Sequence, residues 1–191
     1  MLAEKDYKDI ADQLDVELAV VRAFIRVECN ETGFLPDGRP KVLFERHIMY
    51  RRVRDKHGKA TADLWQRDHP DLCNQTPGGY GRQSTEPDRM GRAAELDREC
   101  ALESASWGMP QVMGYHWERV GYQTLQSFIN AMYRSERSQM DAFIGFVQTD
   151  PALHRAMKRR DWLSMAKLYN GPAQKGYDVK LKDEYDDIVG G

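Results

Sequence analysis

Two glutamates, Glu28 and Glu45, stand on either side of a loop that carries Gly33, Pro36, Gly38 and Pro40. Carboxyls on opposite walls of one groove are what cleavage of a glycosidic bond uses. One stays protonated and donates to the bridging oxygen, while the other stabilises the developing cation or activates water. A carboxyl keeps its proton near neutral pH when low-polarity surroundings disfavour the ionised form, and Phe24, Val27, Phe34 and Phe44 are candidates for such a wall. The C-terminus of a helix adds to the effect, because its partial negative charge also opposes ionisation. Each residue has an ordinary reading too. In a chain that is 30% charged, Glu28 can be one more surface glutamate near a helix end, and Glu45 can be an ion-pair partner of Arg46 or Arg51. Glu31, in a polar turn, is a weaker rival for the second carboxyl.

Two further segments carry groups suited to holding a sugar. The run from Ser104 to Gly114 places Ser106, Trp107 and Met113 around one amide side chain, Gln111, with Gly108 permitting a turn or a close approach. Trp107 offers a flat face for a sugar ring, and Gln111 can both donate and accept hydrogen bonds. The ordinary alternative is a glycine turn leading into a core helix, with Trp107 as filler. Late in the chain, Tyr169-Asn170-Gly171-Pro172 offers a hydroxyl and an amide for acetamido or hydroxyl groups. Helix termination alone also accounts for this segment.

Other chemistries find little support. His47, His57, His69, His116 and His154 form no His-Glu-x-x-His pattern or paired Cys/His spacing, so neither a metal nor another cofactor is expected. Cys29, Cys73 and Cys100 are an odd count without recurring spacing, read as reduced thiols. Cys29 follows an acid at a helix C-terminus, the wrong setting for a reactive thiolate. With 28 basic and 30 acidic residues and a net charge of −2, the chain lacks the basic excess of a nucleic-acid binder. Basic clusters at Arg46–Lys59 and His154–Arg160 read as solvated helix faces. The start of the chain lacks the apolar core of a signal peptide, and no apolar run approaches membrane-spanning length.

The elements that must position these groups are mostly helical. Tyr7, Ile10, Ala11 and Leu14 share one helix face, and Asp15 is expected to cap a second helix, with Glu17 in its first turn. In that helix Leu18, Val21, Phe24, Ile25 and Glu28 follow one stripe, which puts Glu28 at its C-terminal end. Residues 41–45 fit a strand or a helix start, and 46–57 read as helix. Residues 58–92, rich in Gly and Pro, are expected to form an irregular lobe with a short helix near 62–66. Helical stretches are expected over 90–102, 111–120, 124–146, 151–157 and 162–169. A length of 191 residues without repeats or linkers suits a single domain, 1–191.

The order of Val27-Glu28, Gly33-Phe34, Asp37-Gly38-Arg39-Pro40, Leu43-Phe44-Glu45-Arg46-His47, Gly78-Gly79-Tyr80, Ala101-Leu102, Ser104 to Gly114 and Tyr169-Asn170-Gly171-Pro172 resembles the N-acetylmuramidase family of phage endolysins. The resemblance runs from about Asp15 to Tyr185. It implies a mainly α, lysozyme-like domain with a small irregular or short-β lobe, cleaving the MurNAc-β-1,4-GlcNAc bond of peptidoglycan. It implies Glu28 as general acid, Glu45 as second carboxyl, and Ser106, Trp107, Gln111, Met113, Tyr169 and Asn170 as substrate-binding residues. Cys29 departs from the family's usual Ser. The implied partner is the peptidoglycan glycan strand, met by a monomer without nucleic acid or membrane insertion. The enzyme would be made in the host cytoplasm and reach the wall after release through the membrane, as a stand-alone enzyme or as the catalytic part of a longer one. The rival readings are a lytic transglycosylase and a non-catalytic peptidoglycan-binding module.

Overall fold

Polar side chains that satisfy the free N–H groups of a helix start mark where several helices of this chain begin. Thr124 accepts from Ser127 N, Ser135 from Ser138 N and Asp161 from Ser164 N, while Asp150 accepts from both Ala152 N and Leu153 N. The computed structural model describes residues 2–29, 32–172 and 175–191, with the side chains of Glu28 and Cys29 outside the described set. Among the described residues the helices are α1 (Glu4–Leu14), α2 (Leu18–Cys29), α3 (Arg46–His57), α4 (Lys59–Asp68), α5 (Glu86–Leu96), α6 (Arg98–Glu103), α7 (Leu125–Arg134), α8 (Glu136–Gln148), α9 (Pro151–Arg159), α10 (Trp162–Asn170) and α11 (Tyr177–Gly190). Three short antiparallel strands, β1 (Val42–Phe44), β2 (Ala105–Trp107) and β3 (Val112–Met113), form one sheet in the order β1-β2-β3.

Apolar burial divides around two cores. Phe44, Met49, Val53, Trp107, Phe128 and Met132 gather under the sheet with α3, α5, α6 and α7. Ile10, Leu14, Phe24, Phe143, Leu153 and Met165 gather among α1, α2, α8, α9 and α10. Helix α8 serves both, with Ala142 in the first core and Met140 and Phe143 in the second.

Several local expectations give way to the structure. Asp15 closes α1 rather than capping α2: its backbone is left-handed (φ 50°) and its N–H returns to Ala11 and Asp12 carbonyls. The 58–92 region is more helical than its glycines suggest, because Gly58 only separates α3 from α4, which pack together, and α5 begins at Glu86. The stretch 90–102 is split by Asp97, whose extended backbone and carboxylate cap start α6. Ser135 likewise splits 124–146 into α7 and α8. Residues 111–120 are not a helix but β3, a single 3-10 turn at Gly114–His116 and further turns. Helix α11, which carries Leu181 into the second core against α2, was not anticipated.

The two basic clusters are partly neutralised where they stand. Arg52 pairs with Glu103, Arg54 with Asp55, Lys56 with Asp97 and Glu99, and Lys59 with Asp63. Lys158 pairs with Asp15 and Arg160 with Glu17. No helix among the described residues is long and apolar enough to cross a membrane.

Candidate active site

Strand alternation decides what the 104–114 segment presents. Trp107 pairs across the sheet with Val42 and Val112, so these three share the face turned to the first core. Ser106 pairs with Leu43 and Met113, which share the opposite face. Trp107 is accordingly 0% exposed, its indole N–H donating to Leu102 O at 3.0 Å. It has no face left for a sugar, and the expected stacking role is corrected: Trp107 anchors the hairpin from below. Its neighbour Ser106 donates to Gln111 Oε1 at 2.7 Å, and Gln111 Nε2 donates to Gly108 O at 2.8 Å. Gln111 itself has a left-handed backbone (φ 51°), an uncommon and costly conformation for a residue with a Cβ. One N–H and one lone pair of the amide remain beyond these two bonds.

Gln111, Met113, Tyr169 and Asn170, four of the expected binding residues, line one pocket of about 150 Å³ together with Val112, Tyr115, His116 and Phe146. Tyr169, in the last turn of α10, ties this pocket to α2. Its ring stands edge-on to Phe24 with centroids 4.6 Å apart, and its hydroxyl donates to Pro110 O. Position 28 lies one helical turn beyond Phe24 on the same face of α2. The end of the Glu28 helix, Tyr169 and the Gln111 turn therefore meet at one place. Tyr115, 37% exposed, is the pocket's exposed aromatic, whereas Trp107 is buried. His116 packs beneath it, with ring centroids 4.3 Å apart. Burial, with Arg119 adding to it, brings the His116 imidazole down to about 4, so it is neutral at physiological pH.

The loop after Glu28 is held by two polar residues of α8 that the sequence reading passed over. Glu136, buried, accepts from Gly33 N at 3.0 Å and from Thr32 Oγ1 at 2.9 Å. Burial works against its ionisation, yet the carboxyl is held below its ordinary value, the Gly33 N–H and Thr32 hydroxyl being among the groups that hold it there. Gln139, one turn further on, accepts from Met109 N at 2.8 Å and donates to Met132 O at 2.9 Å and to Gly33 O at 3.4 Å. The fit leaves no room for side chains: a Cβ on Gly33 would stand 1.9 Å from Gln139 Oε1, and one on Gly108 2.6 Å from Gln139 Cδ. Lys41 completes the frame, its N–H reaching Gly33 O and its carbonyl receiving Gly108 N–H. The sequence offers little signal for them, because Glu136 and Gln139 stand beside Arg137, Ser138 and Asp141 in what reads as an ordinary polar helix start. Glu31 lies outside the described residues.

Glu45 follows β1 directly, its backbone N–H bonded to Ser104 O. Its side chain is 17% exposed and pairs with neither Arg46 nor Arg51. Tyr80 O–H donates to Glu45 Oε2 at 2.8 Å, and His47 Nδ1 lies 3.2 Å from the same oxygen. Loss of hydration at the Tyr80 hydroxyl and the Glu45 carboxylate push this phenol up to about 12. Arg46 instead binds carbonyls of Thr76, Pro70 and Pro77. Of the four phenylalanine and valine wall candidates, Phe24 lies in the second core while Phe44 lies in the first, under the Arg89 guanidinium. Cys73 and Cys100 are buried thiols. Among the described residues one group, His57, Asp97 and Cys100, brings three potential metal ligands together. Burial pushes the Cys100 thiol up to about 12, and Lys56 Nζ already stands 2.9 Å from Asp97, so the group reads as a brace between α3 and α6.

A mainly α domain with a three-stranded antiparallel sheet, and with a glutamate helix end meeting a glycine-rich hairpin, defines the lysozyme-like class. The sequence matches the N-acetylmuramidase family over residues 17–189. Among solved structures it is similar to the Burkholderia AP3 phage endolysin, with 40% identity, a TM-score of 0.89, and coverage of 100% of this chain and 72% of that one. A search of curated proteins found no match. The chain belongs to the N-acetylmuramidase family and is a peptidoglycan hydrolase.

Proposed function

We propose that this enzyme cleaves the MurNAc-β-1,4-GlcNAc bond of peptidoglycan, with Glu28 as the general acid. The observation that carries this reading is Tyr169, which touches Phe24 one turn before position 28 and bonds the Pro110 carbonyl beside Gln111. A carboxylic acid at that helix end protonates the glycosidic oxygen as positive charge develops on the MurNAc ring. Glu45 is the second carboxyl, stabilising that charge or activating water. Gln111, Asn170, Met113 and Tyr169 hold the sugar, with Ser106 orienting the Gln111 amide. Tyr115 takes the aromatic role. Residues 1–191 act as one catalytic unit, and a monomer suffices because every residue named is on one chain. Its place of action is the cell wall, reached after the membrane has been opened.

The test is Glu28→Gln on purified sacculi, with products identified by mass spectrometry. Wild type should release fragments ending in reducing MurNAc, and the variant should release none while unfolding at the wild-type temperature. Retained lysis would remove Glu28 as the acid, and 1,6-anhydro products would convert the reading to transglycosylation.

A further inference from the structure

Tyr80 sits in a strap, residues 76–81, that is fastened on both sides of it. Before Tyr80, the Arg46 guanidinium binds the carbonyls of Thr76 at 2.9 Å and Pro77 at 3.3 Å. Gly78 and Gly79 have positive φ, and a Cβ on Gly79 would stand 2.9 Å from Arg46 Nη1, so the strap lies directly on that guanidinium. After Tyr80, the buried Glu86 carboxylate accepts from Gly81 N at 2.7 Å and from Phe44 N at 3.1 Å. Arg89 neutralises Glu86 at 3.1 Å and also donates to Phe44 O. One buried carboxylate thus binds the residue beside Tyr80 and the residue beside Glu45, fixing the pair from both segments at once.

Tyr80 is not needed for fastening, since Arg46 and Glu86 do that. Nor does its ring gain much from burial, being 48% exposed. What remains is an exposed aromatic face held rigidly at the Glu45 carboxylate, with its hydroxyl bonded to Oε2. Aromatic faces of this kind bind the C–H-rich side of a sugar ring, and the hydroxyl bond selects one orientation of the carboxylate.

We propose that Tyr80 is a positioning residue for Glu45 and the wall of the sugar site beside it. The hydroxyl fixes the Glu45 carboxylate that acts on the reacting sugar, and the ring packs against that sugar or its neighbour. This rests on the reading of Glu45 as the second active-site carboxyl.

The experiment compares wild type, Tyr80→Phe, Tyr80→Ala, Glu45→Gln and the double variant Tyr80→Phe/Glu45→Gln on soluble uncrosslinked glycan strands. Tyr80→Phe keeps the ring and should lower kcat about tenfold or more with KM little changed, the cost of a lost hydrogen bond to a charged group. Tyr80→Ala should also raise KM severalfold. In the Glu45→Gln background the Phe change should have no further effect, because the group it acts through is gone. A wild-type kcat for Tyr80→Phe, or an undiminished effect of Phe in the Gln background, overturns the proposal. Wild-type kcat in Glu45→Gln would instead refute the Glu45 assignment itself, and thermal unfolding of each variant separates these outcomes from loss of fold.

Discussion

Gln139→Leu keeps the volume of a wholly buried side chain and deletes its hydrogen bonds. Met109 N–H would lose the acceptor at 2.8 Å and Met132 C=O the donor at 2.9 Å, whereas Gly33 O keeps the Lys41 N–H at 2.9 Å. Loss of these two buried hydrogen bonds costs about 1–3 kcal/mol each, partly offset by the more apolar side chain. A net loss of about 2–4 kcal/mol is a large share of the roughly 5–15 kcal/mol that stabilises a typical domain. For a chain of this length it lowers the unfolding midpoint by about 5–15 °C. Activity should fall further than stability alone explains, since the same bonds hold the Gly108 turn to the loop after Glu28. Gln139→Glu sharpens the test. Its carboxyl can donate its one proton to the Met132 carbonyl only when protonated, so folding raises its pKa above the ordinary value of about 4.3. A group raised in the fold contributes fully below its unfolded pKa and loses that contribution as pH rises. The Glu variant should therefore match wild type near pH 4 and fall progressively behind toward pH 7. Urea unfolding of wild type and both variants at pH 4, 5.5 and 7 measures this. A Leu variant within about 0.5 kcal/mol of wild type, or a Glu deficit independent of pH, would refute the reasoning.

His116 runs in the opposite sense to that glutamate. Its pKa, brought down to about 4 in the fold against 6.5 as the ordinary value, makes protonation favour the unfolded chain as pH falls through this window. Acidification from pH 7 to 4 should cost about 2–3 kcal/mol after discounting for its partial exposure, and His116→Gln should remove that dependence in matched unfolding curves. Arg89→Met leaves the Glu86 carboxylate buried without its cation, so stability should fall by about 3–5 kcal/mol; an unfolding midpoint within 2 °C of wild type would argue against a buried pair. Tyr115→Ala, on the surface of the Gln111 pocket, should raise KM on glycan strands severalfold with little change in midpoint. An unchanged KM would exclude its ring from the sugar site.

The elements that the chain specifies locally were legible before any tertiary information. Ile10, Ala11 and Leu14 mark α1; the stripe through Phe24 and Ile25 marks α2 and puts Glu28 at its end; and residues 46–57 are helical as the pattern predicts. These follow from side-chain periodicity and from breakers that act within a few residues. The ordered motifs likewise pointed to the family that the comparison then matched. Segment boundaries were less legible where one residue served two neighbours, as when Asp15 took the left-handed closure of α1 instead of the start of α2.

What only the tertiary structure decided was which partners the polar residues meet. Trp107 and Ser106 are adjacent and both could face a ligand; the strand register with Val42, Leu43, Val112 and Met113 sent the indole into the core and the hydroxyl to Gln111. Glu136 and Gln139 reach the loop at 32–33 across more than one hundred residues of chain, and Tyr80 reaches Glu45 across thirty-five. Periodicity shows that a helix face is buried but carries no record of what lies opposite. Hydrogen bonds depend on distances of about 3 Å and on direction, and these exist only once separate segments have packed.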